Sequence, residues 1–293
     1  MTRNDPSRTP RVTRNRPSVF VFLIDQSGSM EEKITFNDET LSKSAAVASI
    51  VNGLLGEILH RCKREEGYRH YFDVAVFGYG GNEVRSLLPG AEEHGGFLTP
   101  AELAAAPVET VRYFRERVLT DGRRLTSVAE QKAWITPRHI GKTPMYAALA
   151  KAHDTVHEWV RDHTDQCGFP PIVINISDGE ATDAGEEELA VLAERIRGLS
   201  TDCGPVMLVN IHLSPGSDEL GVMFPAEGDL PDKPYARLLF RLSSAVPAIF
   251  YGEVAAITGR REFGQSRLVS YNSTMTDLIG MLSIGTVSIN LLD

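Results

Sequence analysis

The chain has 293 residues, with 30 Lys and Arg against 39 Asp and Glu, a formal net charge of −9. That balance excludes nucleic-acid binding through a general basic surface. An apolar fraction of 42% and a charged fraction of 24% belong to a globular protein with material for a core, not to a disordered or membrane-embedded chain. Three scattered cysteines, Cys62, Cys167 and Cys203, form no Cys-x-x-Cys pair; they argue against a disulfide scaffold and suit a reducing, cytoplasmic setting. No apolar stretch precedes Val19, and the run 19–24 is too short to span a bilayer, so no membrane role is expected.

Residues 1–17 read as an unstructured tail, rich in Pro and carrying Arg3, Arg8, Arg11, Arg14 and Arg16 against Asp5. The run 18–24 (SVFVFLI) is continuously apolar and rich in β-formers, which predicts a strand buried on both faces of a parallel sheet. A helix is expected from Asp38, a plausible cap, with Leu41, Ala45, Ala48, Val51, Leu55 and Leu59 on one stripe. A strand over 71–79 and another over 83–88 flank a tight Gly80-Gly81-Asn82 turn. Residues 89–140 are less regular and read as an elaboration, with short helices over 99–105 and 108–118 and polar loops beyond.

The stripe Met145, Leu149, Ala152, Val156 and Val160 predicts a helix over 143–163, with Pro144 in its first turn. A second buried strand follows over 171–177, then a helix over 186–199 and a strand over 206–213. Residues 214–265 are Pro- and Gly-rich with helical pieces near 234–246 and 247–258; a last strand (266–271) and helix (275–283) follow. Alternating strands and helices predict one doubly wound α/β domain over 18–293, with about six mainly parallel strands, one antiparallel edge strand and helices on both faces.

In such a sheet ligands bind beyond the carboxyl ends of the strands, where strand order reverses. Two strands end on carboxylates there, Asp25 and Asp178. Asp25 opens an Asp-x-Ser-x-Ser loop that adds the hydroxyls of Ser27 and Ser29. Carboxylate and hydroxyl oxygens suit Mg²⁺, with Mn²⁺ or Ca²⁺ as alternatives, rather than zinc or copper. Two carboxylates balance a dication, and neutral hydroxyls leave it able to attract an external carboxylate.

This loop resembles the metal-ion-dependent adhesion site of von Willebrand factor A domains. Two further motifs carry the resemblance: Thr143-Pro144 opening a helix, and Asp178-Gly179 after a later strand, in the family's order. The resemblance covers about 18–290. It implies a Rossmann-like fold in which Ser27, Ser29 and Thr143 coordinate the metal directly. Asp25 and Asp178 act through water or exchange into the coordination sphere. The open position takes an Asp or Glu from a partner protein. Stretches such as 141–145, 170–180, 236–247 and 278–286 are similar to bacterial stand-alone A-domain proteins of the tellurite-resistance-associated type. That group implies a stress or signalling setting with kinase or phosphatase components.

The expected function is a metal-dependent protein-interaction module, not an enzyme. Two alternatives are a metal-independent scaffold, binding through 89–140 or the tail, and a metal-dependent phosphatase or other hydrolase. The second lacks an evident base, and no Gly-x-Ser-x-Gly elbow is present. His153 and His157 stand four residues apart, but without the Glu of a zinc-protease motif they read as a solvated helix face. The acidic run Glu180, Asp183, Glu186, Glu187 and Glu188 reads as a helix start.

Overall fold

A computed structural model describes residues 12–13, 15–36, 39–118, 124–165, 168–213 and 221–283. The main sheet takes its strands in chain order as β1 (Ser18–Asp25), β2 (Phe72–Gly80), β3 (Glu83–Ser86), β4 (Ile172–Ser177), β5 (Met207–Leu213), β6 (Val222–Met223) and β7 (Val269–Ser273). Across the sheet they run β6-β7-β5-β4-β1-β2-β3. The helices are α1 (Lys43–Cys62), α2 (Pro100–Ala105), α3 (Met145–Asp162), α4 (Glu186–Gly198), α5 (Pro234–Leu242), α6 (Tyr251–Thr258) and α7 (Met275–Ser283).

β1 is the central strand because it can be buried on both sides. Val19, Val21 and Leu23 pack with residues of α3, α4 and α5. Phe20, Phe22 and Ile24 pack on the other face with residues of α1, α6 and α7. Both neighbours are parallel: Phe20 to Ile24 pair with Ile172 to Ile176 of β4, and Ser18 to Asp25 with Phe72 to Tyr79 of β2. At about 2 kcal/mol for each buried side chain, these six apolar groups outweigh the cost of carrying one carboxylate, Asp25, into the interior at the strand's end. From β1 the chain goes to β2 on one side and later to β4 on the other. The order therefore reverses at β1, between the ends that carry Asp25 and Asp178.

The doubly wound, mainly parallel architecture is as expected, with three differences of detail. The sheet has seven strands rather than six, and both edges are antiparallel: β3 on β2, and β6 on β7. A two-residue edge strand in a Pro/Gly-rich stretch leaves no periodicity to read. α1 begins at Lys43, not near Asp38, which lies outside the described residues. A hairpin of Lys33–Phe36 with Glu39–Ser42 comes first, and Ser42 caps the helix through its Oγ to Ala45 N (3.2 Å).

The helix expected over 108–118 is corrected to a strand. Glu109–Val118 pairs residue for residue with Arg124–Ala133 as an antiparallel hairpin. The second strand, missing from the sequence reading, supplies the main-chain partners that override a short helix-like pattern.

The span read as tail also contains docked residues. Val12 is buried in the core, Arg16 pairs with Asp202 at 2.5 Å, and Pro17 O accepts from Gly168 N (3.0 Å). The rest of that span, 1–11 and Arg14, lies outside the described residues. Among the described residues no helix is long and apolar enough to cross a membrane.

Candidate metal centre

Three loops meet where the strand order reverses: Gln26 to Ser29 after β1, Ile140 to Thr143 before α3, and Asp178 to Asp183 after β4. Main-chain hydrogen bonds tie the first two together. Gly28 N donates to Gly141 O (2.9 Å) and Ile140 N to Gln26 O (2.7 Å), while Gly81 N, in the turn between β2 and β3, donates to Lys142 O (2.9 Å). The close approach depends on two glycines. A Cβ on Gly80 would stand 2.4 Å from Gln26 O, and one on Gly141 (φ +62°) would stand 2.8 Å from Gly81 Cα. In the sequence Gly80 is legible only as a hairpin residue; its role as the bed of the Asp25 loop needs the third dimension.

The third loop clasps the second. Thr182 N donates to Thr143 O (3.0 Å), and Thr143 N donates to Thr182 Oγ1 (3.1 Å). Asp183 then accepts from Tyr146 N (3.0 Å) and Ala147 N (2.9 Å). It caps α3 from outside the helix, on amides that Pro144 at the cap position cannot serve. The sequence shows Asp183 only as part of an acidic run before α4.

Four of the five expected ligands, Asp25, Ser27, Ser29 and Asp178, are linked by hydrogen bonds or shared neighbours, and Thr143 lies on the adjoining loop. Asp25 Oδ1 accepts from Ser27 N (2.7 Å). Ser27 Oγ and Ser29 Oγ are 3.1 Å apart, and Ser29 Oγ donates to Asp178 Oδ1 (2.6 Å). Thr143 is buried and placed by its main chain, two residues from the Gly28–Gly141 contact. Asp25 and Ser27 are buried, whereas Ser29 is exposed. The cluster thus opens to solvent at Ser29 and closes at Asp25.

The two carboxylates differ in how they are satisfied. Asp25 Oδ2 is buried with no hydrogen-bond partner. Burial pushes the Asp25 carboxyl up to about 7, against the pull of the Ser27 hydrogen bonds, and the nearby Asp178 charge pushes the same way. Asp178 has a partner on each oxygen: Ser29 Oγ on Oδ1, and the Lys43 ammonium on Oδ2 at 3.0 Å. Lys43 was absent from the sequence reading; a lysine at the first turn of an amphipathic helix gives no sign that it is buried.

Beneath the site a chain of buried polar groups crosses the sheet. Tyr79 OH donates to Asn175 Oδ1 (2.7 Å), Asn175 Nδ2 to Asn210 Oδ1 (3.1 Å) and Asn210 Nδ2 to Ser243 Oγ (3.0 Å). Each group is paired, as a buried polar group must be. Tyr235 OH fixes the Asp178 turn from below through Gly179 O (2.5 Å).

His212 stacks on Tyr271 with ring centroids 4.6 Å apart and accepts from Asn272 N at Nδ1 (3.2 Å). Burial pushes it down to about 4, partly countered by Asp178. A neutral imidazole of that basicity, with Nδ1 occupied, is a poor general base.

The donor set fits a hard dication. The candidate ligand atoms of Asp25, Ser27, Ser29 and Asp178 are all oxygens, two of them from carboxylates, and the unpartnered Asp25 Oδ2 lacks the positive charge that would offset its burial, the Lys43 ammonium being paired with Asp178. Among the described residues no three His, Cys, Asp or Glu side chains form a metal cluster; the candidate here is mixed, two carboxylates with hydroxyls. His153 and His157 stack on α3 with ring centroids 6.0 Å apart, and His153 is bound to Asp154.

No family model matches the chain, and no curated protein matches it. Among solved structures it is similar to a von Willebrand factor type A protein from Catenulispora acidiphila. That match has 16% identity, covers 68% of this chain and 34% of the other, and has a TM-score of 0.37. It is similar to the vWF domain of the type V pili tip protein Mfa5 from Porphyromonas gingivalis (16% identity, 57% and 39% covered, TM-score 0.31). It is also similar to proximal thread matrix protein 1 from the mussel byssus, described with a zinc-occupied MIDAS motif (13% identity, 92% and 46% covered, TM-score 0.36). The chain spans less than half the length of each of these.

Proposed function

We propose that this chain is a von Willebrand factor A-type interaction module. Asp25, Ser27, Ser29, Thr143 and Asp178 hold a divalent cation, Mg²⁺ in the first instance, and a partner protein offers an Asp or Glu to it. The observation that carries the reading is the buried Asp25 carboxylate. It has one oxygen unpartnered and sits beside two serine hydroxyls and a second carboxylate. A protein that needed Asp25 only as a turn residue would leave it at the surface, where water satisfies it.

When bound, the cation supplies an electrophilic position for an external carboxylate. The chain's own groups do the rest. Ser27, Ser29 and Thr143 provide neutral oxygens, so two carboxylates and a dication leave no excess negative charge to repel the partner. Asp183 and Thr182 hold the Thr143 loop to the Asp178 loop, so occupation of the site bears directly on the first turn of α3. Ile140 and Tyr146 are exposed on the Thr143 loop and the first turn of α3, with Lys142 between them. They suit a partner acidic residue set among apolar neighbours. A bacterial stress or signalling system, with a kinase or phosphatase component as partner, is the setting we propose, supported by the sequence resemblance to tellurite-resistance-associated proteins alone. Buried His212, with its basicity lowered and Nδ1 occupied, is a poor general base, which supports binding over hydrolysis.

The test is capture from host lysate by wild type and Asp25→Ala, each in Mg²⁺ and in EDTA. A partner retained by wild type in Mg²⁺ and lost in the other three lanes is expected. Equal capture in all four would move the interface to residues 89–140 or the N-terminal segment.

A further inference from the structure

Lys43 stands where two rules oppose it. It is the first residue of α1, where the helix dipole disfavours a cation, and it is 2% exposed, where an unpaired ammonium is not tolerated. Its charge is offset by two carboxylates. Nζ lies 3.0 Å from Asp178 Oδ2 and 2.7 Å from Glu32 Oε2. Its main-chain N also donates to Glu32 O (2.9 Å), so the Glu32 segment is pinned beside it. Asp178 is wholly buried at its side chain, and Glu32 is about half exposed at 49%.

We propose that Lys43 is a tethered monovalent cation that shares Asp178 with the metal centre and holds the affinity for divalent ions down. The inference rests on the metal-site reading above. A dication drawing on Asp178 must share that carboxylate with an ammonium already 3.0 Å from its other oxygen. The ammonium is kept close, because its helix is packed into the core through Val47, Val51 and Leu55 and its Nζ is paired with Glu32 and Asp178. It therefore repels the ion at short range, in surroundings where charge is weakly screened. It also keeps Asp178 in place when no ion is present, so the cluster does not collapse.

The experiment is Mn²⁺ binding to the full chain, followed by electron paramagnetic resonance of the free ion and by calorimetry. Lys43→Gln keeps a hydrogen-bond donor for Asp178 and removes the charge. It is expected to bind Mn²⁺ about tenfold more tightly than wild type. Lys43→Met should shift the same way, and Lys43→Arg, which keeps the charge, should bind no more tightly than wild type. If Lys43→Gln is poorly folded by circular dichroism, the Met and Arg variants decide the sign. Wild-type binding with equal or weaker binding in the uncharged variants overturns the inference alone, because Lys43 would then only support Asp178. Absence of Mn²⁺ binding in wild type and variants alike overturns the metal-site reading, and the inference with it.

Discussion

Asp25 and Asp178 end neighbouring strands, yet the fold treats them oppositely. Asp178 is saturated, with a serine hydroxyl on one oxygen and an ammonium on the other. Asp25 is also buried but has one oxygen without a partner. The difference separates two jobs that sequence alone lumps together as acidic turn residues. In the metal-free protein Asp178 contributes to stability, whereas Asp25 costs stability, a cost that the proposed cation would offset.

The largest expected effect comes from the saturated side. Asp178→Ala in EDTA leaves the buried Lys43 with Glu32 alone and should destabilise the protein by about 3 kcal/mol, read by urea unfolding. A loss under 1 kcal/mol would mean that the ammonium finds water instead.

Asp25→Asn should do the reverse. In the unfolded chain this carboxyl titrates near its ordinary value; in the folded, metal-free protein burial raises it to about 7. Below about pH 4 both states hold the proton and there is no penalty. Between about 4 and 7 the unfolded chain ionises first, so stability falls as pH rises, and above 7 the whole penalty is present. At pH 8 in EDTA the asparagine variant should be more stable by about 2 kcal/mol, after allowing for the amide N–H it must bury. Equal or lower stability than wild type would show that Asp25 is satisfied without an ion.

Adding Mg²⁺ to wild type at about ten times its Kd should raise stability by about 1.4 kcal/mol and raise Tm, and Asp25→Asn should not respond. Matching melts in Mg²⁺ and EDTA for wild type would count against a functional site. The smallest effect is Ser29→Ala in EDTA. It removes one donor from Asp178 at an exposed position, a loss of about 1 kcal/mol by the same unfolding assay.

The same contrast explains what could be read in advance. The strands carrying both aspartates, the Asp-x-Ser-x-Ser loop and the Thr-Pro helix start are local patterns, so sequence placed Asp25, Ser27, Ser29, Thr143 and Asp178 at one edge of the sheet. Lys43 was invisible because its burial depends on Asp178, 135 residues away. Asp183 looked like part of the α4 start because its partners, Tyr146 N and Ala147 N, belong to a different helix. Residues 108–118 read as helix because the strand that pairs with them begins only at Arg124; the Asp121-Gly122 dipeptide between them was the available hairpin signal. In each case the missing information was a non-local partner.

The contact of Gly80 and Gly141 with neighbouring main chain has a consequence for engineering. A loop bedded on side chains can drift as those side chains are exchanged; a loop bedded on backbone cannot. Ile140 and Tyr146 are exposed on either side of Lys142 and are open to randomisation. A library confined to Ile140, Lys142 and Tyr146, in a background that keeps Gly80, Gly141 and Thr143, therefore samples partner preferences of the proposed module on an unchanged loop. Substituting either glycine would convert a search over recognition into a search over folding.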